Sequence, residues 1–554
     1  MREHDPHYLF CAPLARPEEK GGAPPHHRRR VEDGVLIEND VAIQLRDGVT
    51  VYADIYRPAD ESRAPPIIAW GPYGKHGHTR YSRNFPRADV NDEHLSRYTA
   101  FEAPDPFYWV PRDYVVINVD PRGTWYSEGD ATYLSPEEAQ DFYDVIEWAG
   151  TQPWSNGKVG LSGVSYLTSS QWRVAELNPP HLAAINPWEG WTDTYREVAR
   201  HGGIPETSFW PYLPGRWGHG VNRVEDLCRE TAEHPFYDDF WGSKTADFSK
   251  VAVPAFVVAS WTDQALHTRG TLEGFKHIRS EQKWLEVHGR KKWAHYYDPE
   301  SVRRQQVFFD HFLKGIDNEI ADWPRVRLEV RRRYYVGDFR AEAEWPIARS
   351  DYTALYLDAG SGRMTHEAVA AESGVDYDAT KRGEHAGRAV FDIAFDQPTE
   401  LVGHMKLKLW VATDRGDDMD LFVAIQKLDA SGAVVPFAYY AQFEDGPVAL
   451  GWLRVSHREL DSALSTPFQP VLRHQRELKI APGEIVPLEI EIWPSGTRFD
   501  AGESLRLVVQ GSDIYDYPKP SVYARHEDLL NEGEHVIHTG GKYDSHLLVP
   551  VIPD

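Results

Sequence analysis

The chain holds only two cysteines in 554 residues, Cys11 and Cys228. One lies in a polar leader and the other in mid-chain, so neither a disulfide framework nor a thiolate metal site is expected. Two unpaired thiols fit a reducing compartment. No apolar run reaches the roughly 20 residues that a membrane-crossing helix needs. The segment Met1 to Arg30 is charged and proline-containing and lacks the apolar core of a secretory signal. A cytoplasmic protein is therefore expected. Positive charge is also in short supply: 60 Lys and Arg stand against 85 Asp and Glu, for a net charge of −25. Phosphate backbones and anionic membrane surfaces would be repelled, so neither nucleic acid nor membrane is expected as a partner.

What is present is the composition of a globular protein, 41% hydrophobic and 26% charged. The length predicts roughly two or three domains, with a core large enough to be buried without staples. Nineteen tryptophans are many, and a group of them falls between Trp188 and Trp261. They can serve as core packing or line an aromatic pocket.

Residues 1–33 read as a leader in which Arg28, Arg29 and Arg30 form a solvated basic knot. Ordered structure is expected from Val41, where alternating runs on either side of Asp47-Gly48 predict a β-hairpin. Pro66–Trp70 and Tyr114–Val119 are short apolar runs ending in turn residues, the pattern of buried parallel strands. Ser135, Pro136 and Glu138 open a helix with a capping box, and Phe142, Val145, Ile146 and Ala149 give it one apolar face. Strands alternating with helices predict an α/β fold over 34–187 and 251–325. Strands resume at Val253–Ala259 and Trp284–Val287, and a helix from about Pro299 to Lys314 closes the unit. Between them, 188–250 is rich in Trp, Pro and Gly, with a helix expected over Trp191–Arg200, and reads as a helical cap. From 326 to 554 the pattern turns to strands without helices, such as Met405–Leu409, Leu421–Ile425, Val486–Trp493 and Leu505–Val509. A sandwich or jelly roll is expected there.

The segment Lys158-Val-Gly-Leu-Ser-Gly163-Val164-Ser165-Tyr166 reads strand, sharp turn, helix. A nucleophile elbow needs this arrangement, because the serine must sit in a strained turn that exposes its hydroxyl. The first N–H groups of the following helix then face a developing oxyanion. Ser162, two positions past Gly160, competes with Ser165 for the role; the place of Ser165 at the helix start favours it.

Gly163-Val-Ser165-Tyr166 resembles the Gly-x-Ser-Tyr elbow of the cocaine-esterase-like (CocE/NonD) acyl hydrolases, relatives of the X-Pro dipeptidyl-peptidases. Similar signatures follow in order along the chain: Arg46-Asp47-Gly48 with Ala53–Pro58, then Gly71-Pro-Tyr73-Gly-Lys75. Asp120-Pro-Arg-Gly123 with Ser127-Glu-Gly129, Phe308–Gly315 and Gly451–Arg458 continue the series. One position departs, since Thr168 stands where the family commonly has glycine. The resemblance implies an α/β-hydrolase domain, a helical cap and a C-terminal jelly roll, with acyl transfer through Ser165.

A serine hydroxyl becomes nucleophilic only when a histidine accepts its proton and a carboxylate orients that histidine. Asp263, just past a strand end, can cap a helix. The family's Gly-Trp-x-Asp resembles Ser260-Trp261-Thr262-Asp263 and makes it the acid. For the base, His288 directly follows the last strand, while His295 lies in a Trp-x-His that is similar to the cocaine-esterase form. His288 is expected, with His295 as the alternative. The resemblance also implies an oxyanion hole from the Tyr73 hydroxyl and the Tyr166 N–H. Arg122 and Asp120 are expected to form a structural ion pair.

Trp188 and Trp191, with Tyr195, Phe209, Trp210 and Trp217, are expected to line a pocket for a compact, partly apolar acyl group. Asp263 is followed by Gln264, Ala265 and Leu266 rather than by carboxylates, which disfavours an α-amino acyl or X-Pro substrate. The acidic run Asp414–Asp420 lacks the spacing of a calcium loop and reads as an exposed turn. No metal or cofactor is expected. The expected partner is a small acyl ester or amide, with a homo-oligomer left open. An amidase, or an X-Pro dipeptidyl-peptidase-like activity on the same triad, is the alternative function, and a non-catalytic ligand-binding protein a further one.

Overall fold

The computed structural model describes residues 8–60, 62–76, 79–519 and 521–553, so Met1 to His7 of the expected leader lie outside the described residues. A sheet is built from β1 (Val35–Gln44), β2 (Thr50–Pro58), β3 (Pro66–Trp70), β4 (Val115–Asp120) and β5 (Val159–Val164). It continues with β6 (Leu182–Trp188), β7 (Ala255–Ser260), β8 (Lys283–His288) and β9 (Val326–Arg333). The spatial order is β1-β2-β4-β3-β5-β6-β7-β8-β9, with β2 antiparallel to both neighbours and the strands from β4 to β9 parallel. The hairpin expected at Asp47-Gly48 joins β1 to β2.

Both faces of this sheet are covered, which is why its strands are apolar without alternation. Ile68, Ile117, Leu161 and Val257 point to one face, packed by α1 (Pro136–Thr151), α2 (Tyr166–Ala175) and α3 (Thr268–His277). Their chain neighbours Ile67, Val116 and Phe256 point to the other face and meet α4 (Pro299–Lys314) through Phe308 and Phe309. Ser135 caps α1 by accepting from the Glu138 N–H, but Glu138 reaches back to the Leu134 N–H rather than that of Ser135.

The basic run of the leader is exposed, and it is also a strand. Arg28–Glu32 pairs antiparallel with Val35–Asn39, so order begins well before Val41. The helix expected over Trp191–Arg200 shrinks to one wide turn, Tyr195–Ala199, and four short helices follow between Phe209 and Ser243. Arg122 does not pair with Asp120. Its guanidinium binds Asp141 at 2.6 Å and Asp47 at 2.7 Å, while Asp120 accepts from the Lys75 N–H at 2.7 Å.

Beyond β9 the chain is mostly antiparallel strand. Thr399–Thr413 pairs with Val486–Phe499, and Asp420–Leu428 lies between Ala449–Arg454 and Ser504–Gln510. Alternate residues such as Leu407, Leu409, Val423, Ile425, Ile490 and Leu507 form a separate apolar core. The acidic run is not simply exposed, because Asp418 pairs with Lys479 at 3.0 Å and buried Asp420 with Arg454 at 2.7 Å.

Candidate active site

The elbow lies at the end of β5, where Ser165 adopts φ 63° and ψ −117°. A side-chain-bearing residue in such a region costs about 1–3 kcal/mol, so its surroundings must hold it there. They do so from both sides. The Ser165 N–H donates to the Trp188 and Glu189 carbonyls, each at 3.0 Å, and the Ser165 carbonyl accepts from Thr168 and Ser169 at the start of α2. Gly163 has φ 147°, and a Cβ on it would stand 2.5 Å from Leu167. Thr168 does not obstruct the turn. Its hydroxyl stands 2.9 Å from the Gly163 carbonyl and 2.7 Å from both the carbonyl and the N–H of Trp188. Its methyl occupies the room left by Gly190, where a Cβ would come within 2.4 Å of it.

Ser165 Oγ stands 3.1 Å from Nε2 of His267, whose Nδ1 hydrogen-bonds to Asp263 Oδ2. All three residues are buried. Asp263 and His267 lie one turn apart, and the Asp263 carbonyl accepts from the N–H groups of Leu266, His267 and Thr268. This turn fixes the acid and the imidazole on one face. Ser162, the competing serine, faces away and bonds to the Tyr296 hydroxyl at 3.0 Å.

His288 and His295 are not brought to Ser165, so the histidine in contact with the serine is His267. His288 sits with Nε2 3.0 Å from Glu189 Oε1 and accepts the Arg290 N–H on Nδ1 at 3.1 Å. His295 bonds to Glu286 at 3.0 Å, and its ring lies 3.9 Å from that of His288. The physical reason is the path of the chain after β8. It turns so that Lys292, rather than either histidine, reaches Asp263, at 3.3 Å from Oδ2. The spacing Asp263-x-x-x-His267 beside a strand end was the available signal for the pair.

Tyr73 packs edge-on beside Tyr166, with centroids 6.4 Å apart, and burial pushes its phenol well above the ordinary value. It is therefore neutral and able to donate. The Tyr166 N–H finds no acceptor among the described residues, and its ring is fixed by a hydroxyl bond to Glu138 at 2.7 Å. Trp191 stacks on His267, with centroids 5.6 Å apart and planes 11° apart. Trp217 meets Tyr166 at 4.8 Å, while Tyr195 and Trp210 pack against Trp241. The Trp188 side chain, unlike its backbone, is not at this site. It packs beneath β6 against Tyr296 at 5.0 Å and donates to Asn186.

Burial, then the Lys292 charge, push His267 down to about 4, against the pull of Asp263. Burial alone would raise Asp263, but Lys292 and His267 outweigh it and hold the carboxyl below its usual range. Burial raises Glu102 to about 7 and drives Glu189 well above its ordinary value. At neutral pH the site thus offers a neutral imidazole, an ionised carboxylate and a neutral phenol.

Two family models match the chain. The X-Pro dipeptidyl-peptidase (S15 family) model covers residues 47–213 and 216–297, and the X-Pro dipeptidyl-peptidase C-terminal non-catalytic domain covers 318–548. Cocaine esterase from Rhodococcus sp. is 23% identical over 94% of this chain and 100% of its own length. A CocE/NonD family hydrolase from Staphylococcus aureus superposes with a TM-score of 0.92 at 43% identity, over 96% of this chain and 98% of that one. An α-amino acid ester hydrolase shares the fold, with a TM-score of 0.73 at 17% identity over 94% of this chain and 98% of its own. Its parallel-sheet unit and C-terminal domain of strands are those of this fold, and the chain belongs to the CocE/NonD hydrolases of the X-Pro dipeptidyl-peptidase family, as a serine hydrolase.

Proposed function

We propose that the chain cleaves a carboxylic ester through an acyl-enzyme on Ser165, with His267 as general base and Asp263 orienting it. The observation that carries this reading is the unbroken line from Ser165 Oγ through both nitrogens of His267 to Asp263, at a serine with positive φ. His267 Nε2 takes the hydroxyl proton as Oγ attacks the carbonyl carbon, and Asp263 stabilises the imidazolium. The negative charge moves to the carbonyl oxygen, where the Tyr73 hydroxyl and the Tyr166 N–H donate to it. Collapse of the intermediate breaks the ester C–O bond, and Nε2 returns its proton to the departing alkoxide. Water then repeats the sequence on the acyl-enzyme and releases the acid.

Within this reading, 34–187 and 251–325 form the hydrolase domain, extended by β9, which joins its sheet; 188–250 is its cap, and the strands beyond β9 form a jelly roll. Trp191, Trp217 and Tyr166 are the aromatic walls of the acyl pocket. Gln264, Ala265 and Leu266 after the acid provide no carboxylate for a substrate ammonium, which favours a simple acyl ester. Cocaine esterase, a relative across the chain's length, is by its name also an ester hydrolase.

Fluorophosphonate labelling tests the assignment. Because the three groups act as a unit, Ser165→Ala and His267→Ala should each lower kcat by roughly 10⁴-fold or more and abolish labelling. His288→Ala should still be labelled. Loss of labelling in His288→Ala, with His267→Ala active, would return the base to the end of β8.

A further inference from the structure

The turn that carries the acid and the base is faced by one buried cation. Lys292 opens the short helix after β8, and its Nζ stands 3.3 Å from Asp263 Oδ2 and 3.5 Å from His267 Nδ1. The side chain is almost wholly out of solvent, and the ammonium lies 5.2 Å from the Trp293 ring. Two further carboxyls act on it, Glu102 from the segment ahead of β4 and Glu189 from the end of β6. Glu102 accepts from the Trp293 indole at 2.7 Å and Glu189 from Ser260 at 2.6 Å. Burial drives both toward their neutral forms, which leaves Asp263 as the ionised partner of Lys292.

A buried charge needs a partner, and a structural ion pair alone would satisfy that need. The position of this one does more. The imidazole Nδ1 already donates to Asp263 Oδ2, so the ammonium meets the same oxygen from a second direction and lies beside the ring nitrogen. Charging the ring would then set two cations 3.5 Å apart in a dry site.

We propose that Lys292 is a positioning residue of the hydrolytic site, whose ammonium holds Asp263 ionised and keeps His267 neutral and ready to accept the serine proton in mildly acidic conditions. The inference rests on His267 being the base. Its chemical consequence is a base that works well below the usual range of imidazole, and whose charged form gives its proton more readily to a leaving group.

The sign follows from the charges. Lys292 lowers the proton affinity of both Asp263 and His267, so removing it raises both. The test is kcat/KM against pH for p-nitrophenyl acetate with the full-length chain, comparing wild type, Lys292→Met and Lys292→Arg. The wild-type acid limb should fall near pH 4, where the His267 value lies. Lys292→Met should move that limb upward by about one pH unit or more, toward the ordinary imidazole value of about 6.5. Lys292→Arg should leave it low, because the charge is kept. A folded Lys292→Met with an unmoved limb would overturn the proposal. So would a wild-type limb near 6.5, which decides the matter even if Lys292→Met does not fold. Failure of the underlying triad reads differently: His267→Ala would then remain active, whatever the limb does.

Discussion

At Ser165 a backbone torsion and a hydrogen bond have to be satisfied at once. The positive φ swings the hydroxyl out of the sheet, and His267 meets it at 3.1 Å. Tyr73, beside Tyr166, is neutral. If its hydroxyl stabilises the oxyanion, Tyr73→Phe should lower kcat by roughly 10²–10³-fold with little change in KM. Steady-state kinetics decide this, since a loss confined to KM would make Tyr73 a ground-state binding residue. Ser162 gives the contrasting expectation. Its hydroxyl is spent on Tyr296, so Ser162→Ala should keep its activity and lose about 1 kcal/mol of stability by chemical denaturation. At this scale Ser165 and Asp263, which the structure brings together, were readable, because each follows a strand end in a recognisable setting. The histidine between them was not. His267 reads as one more histidine near a helix start, and only the path after β8 shows that His288 and His295 are engaged with Glu189 and Glu286.

The elbow is an element as much as a residue, since β5, α2 and the end of β6 are clamped together around it. Gly163 and Gly190 supply the clearance, with hypothetical Cβ contacts of 2.5 Å to Leu167 and 2.4 Å to Thr168. Gly190→Ala should therefore push Thr168 off the Trp188 backbone and cost about 1–3 kcal/mol, with slower fluorophosphonate labelling. The double variant Gly190→Ala with Thr168→Ser removes the methyl but keeps a Cβ 2.6 Å from the added one, so it should recover only part of that stability in thermal melts. Apolar runs made the strands of both halves legible, because their burial pattern is local. The clamp was not, because Thr168 meets Gly190 only after the chain has passed through β6. The turn at Tyr195–Ala199 shows the opposite failure. A helical pattern over Trp191–Arg200 is cut to one turn by Glu197, whose carboxylate holds the N–H groups of Thr192 and Asp193 and binds Arg269.

Across the whole molecule, the β-rich half is fastened to the residues around Asp263 rather than merely tethered to the sheet. Gln264, next to the acid, donates to the Pro494 carbonyl at 3.1 Å and accepts the Leu450 N–H at 3.2 Å. The Tyr440 N–H donates to the Thr262 carbonyl at 2.9 Å. Trp261 lies against Gly496, and Arg331 on β9 reaches Ser495 at 2.8 Å and the Val448 carbonyl at 3.0 Å. A chain ending at Asp317 should thus lose labelling at Ser165, although it retains Ser165, Asp263 and His267. Gln264→Ala in the full chain should cost about 1–3 kcal/mol, because the Leu450 N–H is left buried without an acceptor. Thermal unfolding of the intact chain should be a single transition, and two separated transitions would show that the seam is weak. Strand content predicted a β-rich second half; that it grips Gln264, next to Asp263, was not legible, since those contacts link positions about 190–230 residues apart.

The short turn from Asp263 to His267 has one more consequence. Orientation of the imidazole is set within five consecutive residues, by bonds that close on the Asp263 carbonyl. The relay behaves as a cassette, insulated from the length and path of the loop after β8. Changes of length in that loop would retune the electrostatics through Lys292 and leave the alignment of acid and base untouched. One residue added between Asp263 and His267 would break the bonds that close on the Asp263 carbonyl and disconnect the imidazole from the serine at a stroke.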